Sequence, residues 1–205
     1  MLKIGITGSM GSGKSTIARV FESFGIPVYY TDEIAKKLYN SDPLLKEKIK
    51  LNFGNEMYDS NDKLMTPALA KKVFHSPEKL ALLNSIVHPL VIADFVRWSG
   101  LHLSKFIYVI KEAALLFESN ADKVLDQVIC VVCPLEIRIE RIKKRNPEQT
   151  IEEIKKRIEN QLAEEIKSEK SDFIIINDGV KAILPQVIAL HKLFLENGNT
   201  VVIQW

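Results

Sequence analysis

Residues 4–16, IGITGSMGSGKST, carry the side chains best suited to chemistry in this sequence. The spacing fits a phosphate-binding loop, or P-loop, and it lies between a short apolar run and a helical pattern. Glycines let successive backbone N–H groups converge on a phosphate, and the following helix adds the positive end of its dipole. Lys14 supplies a cation and Ser15 a hydroxyl for Mg²⁺, which an ordinary glycine-rich turn would not explain. The residues predicted to bind nucleotide phosphates are Gly8, Gly11, Ser12, Gly13, Lys14, Ser15 and Thr16.

A carboxylate is expected beside Ser15. No Walker B aspartate stands at the end of the third predicted strand, residues 106–110, and Glu112 is the nearest acid. Asp32 follows the second predicted strand, at the sheet edge where α/β proteins bind ligands. Because Mg²⁺ accepts several waters beside one or two carboxylates, either Glu112, or Asp32 through water, is expected to assist Ser15. A helix N-cap is the alternative role for Asp32.

Three arginines share one side of the helix that Pro134 opens. Arg138, Arg141 and Arg145 are spaced i, i+3 and i+7. In a P-loop kinase, this is where a mobile lid brings arginine over the transferring phosphate. Most other charges of this region are predicted to be solvated surface.

Cys130 and Cys133 form a Cys-x-x-Cys pair at the fourth predicted strand. Such a pair suits a redox site or half of a zinc site. However, positions three apart on a strand point to opposite faces, and the chain has no second pair. We expect buried or half-buried free thiols, with Cys133 the more exposed.

Composition narrows the class of protein. The 205 residues suit one compact α/β domain, and 28 basic against 26 acidic residues argue against a polynucleotide-binding protein. Met1 leads directly into the first strand, and no apolar run approaches the length of a membrane span. We therefore expect a cytoplasmic protein without nucleic-acid or membrane partners.

Periodicity predicts strands alternating with helices. A helix with the apolar stripe Ile17, Val20, Phe21 and Phe24 ends at Gly25. Residues 41–97 read as helical, with breaks at Asp42-Pro43, around residues 54–63 and at Ser76-Pro77. His88-Pro89 is expected to interrupt the helical pattern as well. The remaining predicted helices cover residues 33–39, the segment from Pro134, one long helix from Ile151 to Ile166, and 180–196. The predicted strands are 2–6, 27–30, 106–110, 127–132, 172–177 and a terminal 200–204.

Taken in order, several motifs resemble those of the dephospho-coenzyme A kinase family, and together they span nearly the whole chain. The P-loop alone is widespread, whereas the ordered combination is specific. The matching features are Thr7-Gly8-x-x-Gly11-Ser12-Gly13-Lys14-Ser15-Thr16, Thr31-Asp32-x-Ile34-Ala35, Val73-Phe74, His88-Pro89, Leu115-Leu116-Phe117-Glu118, the Arg141 and Arg145 spacing, Gln161, and Asp172 through Asn177-x-Gly179.

This resemblance implies a P-loop NTPase fold: a three-layer α/β sandwich with a five-stranded parallel sheet in a single domain, residues 1–205. Within it, residues 41–98 would form a helical acceptor-binding region and 138–170 a lid. The implied reaction moves the ATP γ-phosphoryl group to the 3′-hydroxyl of dephospho-CoA, with Mg²⁺ and without an obligate protein partner. The implied catalytic residues are Lys14, Asp32, Arg145, Arg141 and Thr7; Asn177 and Gly179 would join the nucleotide site; Asp32, His88, Leu115 and Glu118 would bind the acceptor.

The sequence departs from the family pattern in three places. Tyr30 replaces the first acid of an Asp-Ala-Asp motif, Ala114 a proline, and Asn146 an aspartate. Lys14, Asp32 and Arg145 all remain. Two alternatives stay open: another small-molecule or nucleoside monophosphate kinase, and a P-loop switch or nucleic-acid-dependent ATPase. A lone histidine such as His88 is also more often structural than chemical.

Overall fold

A computed structural model describes residues 1–74 and 76–198 and contains both strands and helices. The strands are β1 (Leu2–Thr7), β2 (Val28–Tyr30), β3 (Tyr108–Glu112), β4 (Gln127–Val132) and β5 (Phe173–Ile176). The helices are α1 (Lys14–Ser23), α2 (Thr31–Ser41), α3 (Pro43–Phe53), α4 (Thr66–Phe74), α5 (Pro77–Gly100), α6 (Leu135–Arg145), α7 (Ile151–Glu159), α8 (Glu164–Glu169) and α9 (Ile183–Gly198).

The strands form one five-stranded sheet in the order β2-β3-β1-β4-β5. β1 is central and pairs in parallel with β3 and β4, and β4 pairs in parallel with β5. The carboxyl ends of these strands therefore lie along one edge, which is where the P-loop leaves β1. The predicted five-stranded parallel sheet is confirmed.

Helices cover both faces of this sheet. Ile129 and Phe173 are register partners, so they share a face, and Phe173 packs its ring on Phe194 of α9 at 5.5 Å. Cys130 is the next residue along β4 and must face the other way, where Ser168 of α8 contacts its sulfur at 3.7 Å. The sheet is thus the middle layer of three.

Helices α1 and α9 pack on the sheet through aromatic rings. Phe21 of α1 meets Tyr108 edge-on at 6.3 Å, and Phe194 of α9 lies 5.3 Å from Tyr108. All three are completely buried. The predicted stripe of α1 is correct, and Gly25 takes φ +81° after Phe24, as expected for a residue that ends a helix.

The chain divides into two compact units, residues 1–29 with 98–205 and residues 30–97. The first contains the P-loop and most of the sheet. The second contains α2 to α4 and most of α5, and it overlaps the predicted helical region. Within it, Asp42 caps α3 by accepting from the Leu45 amide at 2.8 Å, and the Tyr58 hydroxyl donates to the Tyr39 carbonyl at 2.9 Å.

Three predictions about elements are wrong. β3 begins and ends two residues later than expected, so Glu112 is its last residue. The predicted long helix from Ile151 to Ile166 is two helices, α7 and α8, separated by residues 160–163. α5 runs unbroken through His88-Pro89, because the buried stripe of Val87, Val91 and Phe95 holds the helix despite the missing proline donor.

α5 also corrects the expectation about apolar runs. By length and composition it is apolar enough to cross a membrane, with a mean hydropathy of 1.5 in its most apolar window. Only 28% of that window is buried. A single helix of this kind does not by itself indicate a membrane span, since a packed helix of a globular domain can meet the same criteria.

The cysteine prediction is partly right. Cys130 and Cys133 are free thiols, as expected. Both are buried, as expected, but Cys133 is only 1% exposed, so the expected difference in exposure between the two is negligible. The predicted strand 200–204 lies outside the described residues.

Candidate active site

The P-loop occupies the turn between β1 and α1. β1 ends at Thr7 and α1 begins at Lys14, with Gly13 as the N-cap at φ +93°. Gly13 offers no capping side chain, and the first turn of α1 contains no acidic residue. Because the first amides of a helix lack carbonyl partners within the helix, this helix start suits an anion.

Two of the loop glycines are required by close approach as well as by backbone angle. A Cβ on Gly8 would lie 2.5 Å from the Val131 carbonyl oxygen, and Gly8 has φ +148°. A Cβ on Gly13 would collide with the side-chain amide of Asn177. The loop is therefore packed between the ends of β4 and β5, which fixes the direction of its backbone.

Glu112 is the carboxylate beside Ser15. It pairs in register with Ile6, one residue before the end of β1, and is 6% exposed. The Ser15 hydroxyl donates to Glu112 Oε1 at 3.3 Å. A hydroxyl and a carboxylate side by side are hard oxygen ligands of the kind Mg²⁺ prefers.

No group of three or more His, Cys, Asp or Glu side chains within residues 1–74 and 76–198 could hold a metal on its own. Mg²⁺ commonly takes one or two protein ligands and completes its shell with phosphate oxygens and waters. The residues that fit Mg²⁺ are Ser15 and Glu112.

Two hydroxyls of the loop region are buried without a hydrogen-bond partner in the described part of the chain. These are Thr7 Oγ1, on the last residue of β1, and Ser12 Oγ. Both residues are fully buried. An unsatisfied buried hydroxyl costs free energy, so each is a candidate to bond a ligand.

Asn177 joins the loop to the arginine helix. Its side-chain amide donates to the Ser12 carbonyl at 2.7 Å, and its Oδ1 accepts from Arg141 Nη2 at 3.2 Å. Arg141 Nη1 also contacts Cys133 Sγ at 3.3 Å. Arg141 is thereby held in place beside the P-loop. Burial raises the pKa of the Cys133 thiol, although the Arg141 charge opposes that rise.

The other two arginines of α6 differ from Arg141. Arg138 is 7% exposed, and its Nη1 lies 4.0 Å from Glu164 Oε2. Burial raises the pKa of Glu164 above its ordinary value, and the positive charge of Arg138 offsets part of that rise. Arg145 is the last residue of α6 and is exposed. The spacing correctly predicted that the three arginines lie on one helix, but their environments differ. Arg138 is buried, Arg141 is bonded beside the P-loop, and Arg145 is exposed.

Asp32 is not a helix cap. The N-cap of α2 is Tyr30, and Asp32 is the second residue of the helix, with an exposed side chain. The alternative role for Asp32 is therefore wrong. The acceptor role remains a prediction.

The remaining predicted residues are spread over several elements. His88 is half-buried in α5, and Leu115 is half-buried in the turn after β3. Gly179 follows Asn177 with φ +81°. Glu118 Oε1 pairs with Lys167 Nζ at 2.9 Å and accepts from the Leu162 amide at 2.8 Å. Its predicted binding role stays a prediction, and these contacts give it a structural role as well.

Reasoning from residue chemistry missed one contact to the P-loop. The Met10 amide donates to Gln161 Oε1 at 2.8 Å, across 151 positions of sequence. Gln161 was part of the family resemblance, but the apolar spacing around it predicted that it lies within one long helix from Ile151 to Ile166. Gln161 lies in the break between α7 and α8, outside both helices.

Comparison with known proteins identifies the family. A family model for dephospho-CoA kinase matches residues 2–182. A dephospho-CoA kinase of Bacteroides fragilis is 38% identical over 189 residues, which cover 92% of this chain and 91% of that protein.

Solved structures agree. A Thermus thermophilus protein has 32% identity and a TM-score of 0.77, covering 96% of this chain and 97% of its own. The dephospho-CoA kinase from Campylobacter jejuni has 28% identity and a TM-score of 0.69, covering 97% and 98%. With its P-loop, its parallel sheet and a family match over most of its length, the chain belongs to the dephospho-CoA kinase family.

Proposed function

We propose that this chain transfers the γ-phosphoryl group of ATP to the 3′-hydroxyl of dephospho-CoA, giving coenzyme A and ADP. Family membership makes it an ATP-dependent kinase. The observation that carries the residue-level proposal is the grouping of Lys14, Ser15 and Glu112 at the end of β1, with Ser15 Oγ 3.3 Å from Glu112 Oε1. A nucleotide phosphate with its Mg²⁺ suits this grouping of cation and oxygen ligands.

The phosphate site acts mainly by positioning and by neutralising charge. Lys14 binds the β- and γ-phosphates, and the amides around Gly11, Ser12 and Gly13 surround them. Ser15 and Glu112 hold Mg²⁺, directly or through water. When bound, the ion neutralises phosphate charge and orients the γ-phosphate. Glu112 is assigned this role because its Oε1 accepts a hydrogen bond from the Ser15 hydroxyl.

Asp32 acts on the acceptor in this proposal. Its carboxylate is exposed in the first turn of α2, where it is open to an incoming ligand. A carboxylate can orient a hydroxyl and accept its proton as the new P–O bond forms. His88 and Leu115 contribute to the binding of the remainder of the acceptor.

Arg141 and Arg145 have different roles toward the nucleotide in this proposal. Arg141, bonded to Asn177 and close to the loop, binds ATP together with Asn177 and Gly179. Arg145 is exposed at the end of α6 and meets the charge that develops on the transferring phosphoryl group. Thr7 Oγ1 is buried and has no hydrogen-bond partner among the described residues. In this proposal it forms a hydrogen bond with one of the bound substrates.

The protein is expected to work in a reducing compartment, the cytoplasm. Cys130 and Cys133 are both buried and unpaired by disulfides, which fits a compartment that keeps thiols reduced. The near-neutral balance of charge fits small anionic ligands better than polynucleotide. No protein or membrane partner is needed for the proposed chemistry.

The decisive experiment is a product analysis. Purified protein is incubated with ATP, Mg²⁺ and dephospho-CoA, and the acceptor is examined by mass spectrometry for one added phosphoryl group and by NMR for its position. Shikimate and adenosine serve as competing acceptors. Faster phosphorylation of either, or ATP consumption that does not depend on any acceptor, would contradict the proposal.

A further inference from the structure

The break between α7 and α8 is tied to two other parts of the first unit. On one side, Gln161 Oε1 accepts the Met10 amide of the P-loop at 2.8 Å. On the other side, the adjacent Leu162 amide donates to Glu118 Oε1 at 2.8 Å. Two neighbouring residues within the predicted lid region, residues 138–170, thus bond other parts of the unit, one by its side chain and one by its backbone. We call residues 160–163 the lid joint.

A buried charge pair fixes the Glu118 side of the joint. Lys167 Nζ is completely buried, lies 2.9 Å from Glu118 Oε1 and donates to the Ala114 carbonyl at 2.7 Å. A buried ammonium group requires such partners, because leaving it unpaired carries a large desolvation penalty. Lys167 therefore restricts where the Glu118 carboxylate can lie, and Glu118 in turn restricts Leu162.

The helical pattern is broken where these contacts are made. Apolar spacing from Ile151 to Ile166 favours one continuous helix, yet α7 ends at Glu159 and α8 begins at Glu164. Within the joint, the Leu162 amide bonds a side chain in place of a helical carbonyl. Local preference has been overruled by contacts to the P-loop and to the turn after β3.

Met10 lies in the P-loop between Gly8 and Gly11. Glycine-rich segments have high conformational freedom when no ligand is bound, and ordering them on binding costs affinity. A hydrogen bond to the Met10 amide restricts this freedom in advance.

We infer that Gln161 is a positioning residue that holds the P-loop in its nucleotide-binding conformation, with the Lys167–Glu118 pair setting the place of Gln161. The inference rests on the nucleotide site proposed above. It adds a link between that site and the lid joint, which lies between α7 and α8.

The test compares Gln161→Leu with Gln127→Leu. Both changes remove a side-chain amide from the same unit and leave a similar volume. Gln127 begins β4, at the opposite end of the strand from the P-loop, and its Oε1 has no hydrogen-bond partner in the described part of the chain. ADP affinity is measured by calorimetry, with kinetic constants for ATP and dephospho-CoA and a thermal melt beside it.

Gln161→Leu is expected to weaken ADP binding by about 2- to 10-fold, the loss of one hydrogen bond, while the KM for dephospho-CoA changes less than about twofold. Exchange of the Met10 amide, followed by NMR, should accelerate in Gln161→Leu and not in Gln127→Leu. Calorimetry with ADP does not depend on the acceptor, so failure of the acceptor assignment would leave this test intact.

Unchanged ADP affinity, or unchanged protection of the Met10 amide, would overturn the inference. Equal losses for nucleotide and acceptor would also overturn it, since they would indicate general loosening. If Gln161→Leu fails to fold, Gln161→Asn replaces it. That side chain keeps its polarity but is one methylene too short to reach Met10, and normal ADP affinity in Gln161→Asn would equally refute the role.

Discussion

The P-loop surroundings and the two outlying catalytic candidates differ in how their charged side chains are held. Around the loop, Glu112 and Arg141 each contact a named partner, and Glu112 is buried. Asp32 and Arg145 are exposed, one in the first turn of α2 and the other at the end of α6.

This difference separates binding from chemistry. Groups held by protein contacts cost little further entropy when nucleotide arrives, so they suit the binding of ATP in its ground state. Exposed groups must be ordered by the substrates themselves, and their contribution is expected mainly in the transition state. Each prediction below tests one side of this division.

The largest effect is expected from Lys14→Ala, on the held side. Lys14 is 8% exposed at the first position of α1. Removing the cation from the phosphate site should lower kcat/KM by about 10³-fold, similar to the loss of a strong electrostatic contact in other active sites. Steady-state kinetics and a thermal melt measure the outcome, with the exposed Lys105→Ala as control. Near wild-type activity in Lys14→Ala would show that the assignment of residues 8–16 to phosphate binding is wrong.

Much of the frame around Lys14 could be predicted from sequence. β1, β4 and α1 follow directly from an apolar run, a valine-rich run and a helical stripe, because backbone propensity and burial agree there. The P-loop was predictable because its function depends on backbone geometry that only glycines allow. Glu112 was identified as the nearest acid even though the end of β3 was placed two residues too early.

Other features depended on contacts distant in sequence. Gln161 binds Met10 across 151 positions, and Lys167 is buried only because Glu118 and the Ala114 carbonyl compensate its charge. Periodicity carries no information about such partners. The continuity of α5 through Pro89 likewise reflects tertiary packing that outweighs a cost of about 3 kcal/mol.

The next prediction concerns the exposed side of the division. Arg145→Ala should lower kcat by about 10²-fold with a smaller change in ATP binding, since its charge is needed mainly in the transition state. Arg141→Ala should lower kcat and also weaken nucleotide binding, because Arg141 is anchored beside the loop through Asn177. Lys144→Ala, one residue before Arg145, is the matched control.

Kinetics with ATP and dephospho-CoA, together with ADP calorimetry, distinguish these cases. An unchanged kcat with a raised KM in Arg145→Ala would remove its assigned role and make Arg141 the candidate. The division between held and exposed groups would then no longer correspond to binding and chemistry.

Asp32→Asn sharpens the same comparison. Since Asp32 lies inside α2 and does not cap it, the only structural cost is the loss of a charge near the helix N-terminus, about 0.5 kcal/mol. Loss of a carboxylate that orients or deprotonates the acceptor hydroxyl should lower kcat by about 10²-fold. Glu33→Gln removes a neighbouring exposed acid from the same turn and should leave kcat unchanged. Equal kcat in the two variants would refute the acceptor role.

The smallest effect is expected far from the chemistry, at His191. Its Nδ1 lies 2.5 Å from the Tyr108 hydroxyl, and its ring packs on Phe24 at 5.0 Å. Burial lowers the pKa of His191 below its ordinary value of 6.5. The folded state therefore favours the neutral ring, and between the two pKa values the unfolded chain binds more protons.

The sign of the pH dependence follows from this proton balance. The contribution of His191 to stability is complete above the unfolded pKa and is lost as pH falls through 6.5 toward the folded pKa, with a slope below the ~1.4 kcal/mol per pH unit of one full proton. His191→Gln retains an acceptor for Tyr108 without titrating, so urea unfolding between about pH 5 and 8 should show a shallower acid slope. His102→Gln is the control, because it removes another aromatic-packed histidine, 4.5 Å from Trp98. A slope unchanged in His191→Gln, or reduced equally in His102→Gln, would show that the acid sensitivity arises elsewhere.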